Sequence, residues 1–118
     1  YTEVDTLSLH DALPISQAGA PTVVYRNDAP AVASLRVIPD VGDQPGLAIG
    51  AEVVLTVDGV TRRSRIAPTR SYLTQVPAEA WFGLGNGSAS GTGTVSWIGG
   101  KTTSFTFNGS GTVVVRPE

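Results

Sequence analysis

Residues 51–66 constrain this chain more than any other stretch. Between Ala51 and Val57 the residues alternate, with Val53, Leu55 and Val57 on one face. A period of two sends successive side chains to opposite sides of a strand. Asp58-Gly59 follows at once. This dipeptide suits a two-residue type I′ turn, because both central positions need positive φ. The pattern predicts a hairpin over 51–66 with Val57 opposite Val60 and Glu52 opposite Arg65. An exposed pair of that kind adds only about 0.2–1 kcal/mol. The return strand carries Arg62, Arg63 and Arg65, so much of it faces water.

A second hairpin follows from register. Residues 94–98 and 102–107 read as strands around Gly99, Gly100 and Lys101. A two-residue Gly99-Gly100 loop would pair Trp97 with Thr102 and put Trp97 and Phe105 on opposite faces. A three-residue loop over 99–101 pairs Trp97 with Thr103 and Val95 with Phe105. Val95, Trp97, Phe105 and Phe107 then share a face. A one-residue slip would expose that whole set, so the sequence favours the three-residue turn with a bulge.

The rest of the chain agrees. Residues 22–26 and 33–38 read as strands, the latter with Leu35 and Val37 on one face. Residues 27–30 read as a turn and 39–46 as a loop rich in Pro, Gly and Asp. Short strands are expected over 71–74 and 80–84, a Gly/Ser/Thr loop over 86–93, and a closing strand over 112–115. Gly, Ser and Thr are abundant, Val is the commonest large apolar residue, and long helix-forming runs are missing. The expected fold is all-β: a small antiparallel β-sandwich or partly open barrel with hairpins at 51–66 and 94–107.

Residues 1–15 stand apart. The run Thr6-Leu7-Ser8-Leu9-His10-Asp11-Ala12-Leu13-Pro14-Ile15 is one reading frame of a common short-read sequencing adapter, and the preceding residues fit its upstream part. Such a segment is set aside in fold reasoning. It carries the sole histidine, His10, and three acids, Glu3, Asp5 and Asp11. Without it, seven acids face all eight Lys and Arg, so the formal charge moves from −2 to +1. The expected organisation is a non-native segment at 1–15, a linker or the end of a preceding repeat at 16–32, and a β domain at 33–118. A chain of this size makes one core.

Charge near zero gives no case for nucleic acid or an acidic membrane. No apolar run approaches the ~20 residues that span a bilayer. With no cysteine, disulfides and thiolate chemistry are excluded. Outside 1–15 there is no imidazole either, Lys101 is the only lysine and lies in a turn, and Glu52 and Glu79 are not brought together by any local spacing. The expectation is no catalytic residues, no cofactor and no metal. Asp40 and Asp43 share a loop, but a hard cation wants six to eight oxygens, so the solvated-loop reading wins. Gly83-Leu84-Gly85-Asn86-Gly87-Ser88 lacks the last glycine of a dinucleotide fingerprint and the Lys-Ser/Thr of a phosphate loop.

Four blocks remain: Gly46-Leu47-Ala48-Ile49-Gly50-Ala51-Glu52-Val53, Ser71-Tyr72-Leu73-Thr74-Gln75, Trp81-Phe82-Gly83-Leu84-Gly85, and Val95-Ser96-Trp97 before Gly99-Gly100. In the first, Gly50 suits a tight strand entry, with Ile49 and Val53 as core anchors. Tyr72 suits either a hydroxyl anchored to backbone at a sheet corner or a ligand contact. Phe82 is expected in the core, leaving Trp81 as a platform. The candidate binding residues are Tyr72, Gln75 and Trp81.

In this order, from Val24 to Arg116, the blocks resemble the ASPIC/UnbV domain, a β-rich module found at the C-terminal end of FG-GAP (VCBS-type) propeller proteins. Two departures stand out: Trp81 where the family commonly has His, and Ile98 where a Pro often follows the Trp. The first removes any role tied to that imidazole; the second touches only turn geometry. The resemblance implies an extracellular, periplasmic or cell-surface setting, an adjacent propeller as partner, and a non-catalytic binding or adhesion role with a protein or glycan ligand. The alternatives are an accessory domain of a secreted or biosynthetic enzyme, or a carbohydrate-binding β-sandwich that uses Trp81 or Trp97 for stacking.

Overall fold

A computed structural model describes residues 12–16, 18–26, 28, 32–69, 75–85 and 90–118. The expected strand over 71–74 and most of the expected turn over 27–30 lie outside these residues. The chain divides into two compact units, Tyr1–Ala31 and Val32–Glu118. The first holds an antiparallel ribbon of β1 (Ala12–Ile15) and β2 (Val23–Arg26), with Leu13 opposite Tyr25. Every residue of β2 is exposed, and a two-stranded ribbon alone buries too little to be stable.

The second unit is a β-sandwich. One sheet has four strands, β4 (Glu52–Val57), β5 (Val60–Arg65), β7 (Ser90–Ser96) and β8 (Thr102–Asn108), in the order β5-β4-β7-β8. The other has three, β3 (Ala33–Pro39), β6 (Ala80–Gly85) and β9 (Gly111–Val115), in the order β6-β3-β9. No described residue is α-helical, and a 3-10 turn spans Pro45–Leu47. The all-β sandwich expectation holds, and the sheets do not close into a barrel. The pairing departs from purely antiparallel at one place: β9 runs parallel to β3, Leu35 opposite Gly111 and Pro39 opposite Val115. The short link at 109–110 carries the chain from the edge of one sheet to the edge of the other. Parallel strands need a long crossover, and everything from β4 to β8 supplies it.

Alternation builds the core. Leu35 and Val37 from β3, Val53, Leu55 and Val57 from β4, Ala80, Phe82 and Leu84 from β6, and Val95, Trp97 and Phe107 are all buried and form one cluster. The first hairpin is as expected: Asp58 and Gly59 take φ of 49° and 77°, Val57 pairs with Val60 and Glu52 with Arg65. The ion pair, however, runs diagonally from Arg63 to Glu52 (3.3 Å), because a long side chain reaches the i, j±2 neighbour as easily as the one opposite.

In the second hairpin the loop has three residues, as expected, but they are 98–100 rather than 99–101. The Trp97 N–H donates to the Lys101 carbonyl (2.8 Å) and the Gly100 N–H to the Trp97 carbonyl (3.2 Å). Gly99 and Gly100 both take positive φ. The register therefore shifts by two: Val95 faces Thr103, Gly93 faces Phe105 and Gly91 faces Phe107. An even shift preserves faces, so Val95, Trp97, Phe105 and Phe107 still point inward. The reason is steric. Phe105 and Phe107 lie over two glycines, which makes residues 90–93 strand rather than the expected loop.

The Gly46 block is also partly corrected. Gly50 has φ of 92° and leads into β4, and Val53 is buried, but Ile49 is 48% exposed. The turn at 48–50 is held by the Gly50 N–H donating to the Ile66 carbonyl (2.8 Å) and the Ala51 N–H to the Ala48 carbonyl (3.0 Å). It turns the small Ala48 and Ala51 inward and leaves Ile49 outside.

Candidate functional site

The three residues singled out for binding are not all brought together by the described structure. Tyr72 lies outside the described residues. Gln75 is exposed and precedes β6 by a short irregular stretch. Trp81 sits on β6, on the outer face of the three-stranded sheet, while Phe82 beside it points inward and is buried. Successive residues of a strand must part in this way.

Trp81 is only half-buried, and it is held in place. Its indole N–H donates to Glu79 Oε1 (2.7 Å). Arg36, paired with Trp81 across the β3–β6 ladder, donates Nε to Glu79 Oε2 (2.7 Å). The same guanidinium lies over the indole, 5.5 Å from the ring centroid. The Glu79 side chain is 9% exposed, and each of its oxygens accepts from a different partner. A nearly buried carboxylate is tolerated only when paired and hydrogen-bonded in this way. The pairing fixes Glu79 between Arg36 and Trp81. Around Trp81 the outer face continues through Thr112 opposite Arg36, and through Ile38 opposite Val114, which is 56% exposed.

Trp97 serves the opposite purpose. It is 4% exposed. Its indole N–H donates to Thr103 Oγ1 (2.8 Å), and that hydroxyl donates to the Arg116 carbonyl (3.0 Å). Trp97 cannot stack on a sugar without unfolding its surroundings.

The outer face of the four-stranded sheet holds a groove of about 540 Å³. Thr56, Thr92 and Thr106 form one rank across it, and Val54, Thr94 and Ser104 the next. The lining is uncharged, and neighbouring Arg63 is neutralised by Glu52. Sequence reading missed this groove, because each Thr is unremarkable until three strands are set in register.

One acid at the end of the sandwich, Asp40, is also tied down. Arg116 Nε donates to Asp40 Oδ2 (2.6 Å), and the Gly42 N–H to Asp40 Oδ1 (3.3 Å). The Arg116 hydrogen bond, then the Gly42 N–H, hold the Asp40 carboxyl below the usual carboxylate range. Asp40 is therefore engaged within the protein. Among the described residues no group of three or more His, Cys, Asp or Glu is clustered as metal ligands would be. No described helix is long and apolar enough to cross a membrane.

A sandwich of three and four strands, with tethered acids and two shaped outer faces, defines a small β module. Residues 42–115 match the ASPIC and UnbV family, and the chain belongs to that family. The match starts after β3, so it is shorter than the resemblance from Val24, yet β3 is the central strand of its sheet. No curated protein and no solved structure matches the chain.

Proposed function

We propose that this domain is a non-catalytic, extracytoplasmic binding or adhesion module that docks on an adjacent propeller of the FG-GAP type through the outer face of its three-stranded sheet. The observation that carries this reading is Trp81, kept half-exposed by Glu79 and Arg36 among Ile38, Thr112 and Val114. Trp and Arg are the residues most enriched where binding energy concentrates, and a pre-fixed aromatic loses little entropy on docking. Arginine partners for Glu52, Glu79 and Asp40 support a role that makes no bonds. The test is titration of this chain against the separately expressed propeller. Trp81→Ala and Val114→Asp should each weaken binding at least tenfold, with the fold intact by circular dichroism. Binding unchanged by both would refute this face as the contact.

A second reading, glycan binding, is favoured by the groove. Its volume falls in the ~300–1,000 Å³ range of ligand sites. Hydroxyls that both donate and accept suit an uncharged, hydroxyl-rich ligand. Neutral oligosaccharides should then shift the Thr92 and Thr94 amide resonances, and Thr92→Val/Thr94→Val should abolish the effect. Amides that stay fixed across such a panel would leave this reading without support.

A further inference from the structure

We infer that β8 is a self-association edge, at which a second copy of this chain adds its own β8 antiparallel about a two-fold axis centred on Phe105. The starting point is the hydrogen-bond phase of the β7–β8 ladder. The Trp97 N–H bonds to the Lys101 carbonyl, so the pairs Val95–Thr103, Gly93–Phe105 and Gly91–Phe107 are the hydrogen-bonded ones. Thr102, Ser104, Thr106 and Asn108 then turn their N–H and C=O groups away from β7. Since β8 is the last strand of its sheet, those groups face the free edge. All four residues are exposed.

Edge strands are normally guarded by charge, proline, bulges or shortness. The other three edges of this sandwich are guarded. β5 carries Arg62, Arg63 and Arg65. β6 is capped by Arg62, which donates to the Gly83 carbonyl (2.7 Å). β9 is five residues long and is followed by Pro117. β8 has none of these devices. It spans seven residues, TTSFTFN, with no charge, no proline and an unbroken register.

The occupant follows from self-complementarity. With the axis at Phe105, Thr102 faces Asn108 of the copy and Ser104 faces Thr106 of the copy. Only this register pairs all seven residues of both strands while placing every outward N–H and C=O opposite a partner. No like charges meet, and the pairs on the outer face are hydroxyl and amide. On the inner face Phe105 meets its own copy as a non-hydrogen-bonded pair, where side chains approach most closely. Phe105 is the one inward aromatic of β8 that stays partly exposed, and this contact covers it. The contact is isologous, so it closes as a dimer and does not propagate.

Sedimentation of the full chain over a hundredfold concentration range should show a monomer–dimer equilibrium. Ser104→Lys/Thr106→Lys and Ser104→Glu/Thr106→Glu should each be monomeric, because they set like charges directly opposite across the axis. Mixed together they should form a dimer of one of each. Both positions are solvent-facing, so at concentrations where the parent is monomeric the melting temperature of each variant should stay near that of the parent. A parent chain monomeric throughout, a double-lysine variant that still dimerises, or a mixture that stays monomeric would overturn the assignment.

Discussion

Trp97→Ala is expected to lower the stability of the sandwich by about 3–5 kcal/mol, the usual cost of truncating a buried large aromatic. A domain of this size has only about 5–15 kcal/mol in hand, so this one change removes a large share. Thermal unfolding followed by circular dichroism reads it, at about 4–8 °C of melting temperature per kcal/mol for 60–100 residues. The cost has two separable parts. One is the volume lost where Trp97 closes the cluster beside Val95. The other is the chain from indole N–H to Thr103 hydroxyl to Arg116 carbonyl. Thr103→Val keeps the shape and removes the hydroxyl, orphaning a buried donor, at about 1–3 kcal/mol. Thr103→Ser should cost less. Combining Trp97→Phe with Thr103→Val should cost less than the sum of the two, since both ends of the bond are then apolar. Strict additivity would show that the hydrogen bond is not the link between these positions.

What could be read from the sequence divides by distance along the chain. The hairpin over 51–66 was fully legible because a two-residue turn and an alternating strand are local signals, and they fix register between them. The second hairpin was legible in face but not in register. Its deciding contacts are Phe105 over Gly93 and Phe107 over Gly91, and glycines in a Ser/Thr-rich run look like loop until aromatics are set across from them. The parallel β3–β9 pair had no local signal at all, since its partners lie more than seventy residues apart. Ile49 was misplaced because a 3-10 turn followed by a positive-φ glycine has neither helix nor strand period. At the candidate site, Trp81 was visible as an aromatic beside a buried Phe82. Glu79, two residues earlier on the same strand approach, was a findable partner; Arg36 required the β3–β6 pairing first. The groove and the bare β8 edge needed the whole sheet order.

Those two glycines carry the other large effect. Gly91→Ala and Gly93→Ala should both destabilise the fold, and they should differ in whether a second change can rescue them. A Cβ on Gly93 would collide with Phe105 Cζ and lie 2.7 Å from Leu55 Cδ2. Both obstacles are side chains, and overpacking of that kind costs about 1–3 kcal/mol. Phe105 is on an edge strand and only partly buried, so its ring has somewhere to go. Gly93→Ala combined with Phe105→Leu should therefore recover part of the loss. A Cβ on Gly91 would collide with the Thr56 carbonyl oxygen and stand 3.0 Å from Phe107 Cζ. A ladder carbonyl cannot move without breaking the β4–β7 pairing, in which Thr56 faces Thr92. Gly91→Ala should cost at least as much as Gly93→Ala, and Phe107→Leu should not restore it. The measurement is chemical denaturation of the four variants at equal slope, compared through their midpoints. Rescue of Gly91→Ala by Phe107→Leu would mean that the ring, and not the Thr56 carbonyl, sets the limit at this position.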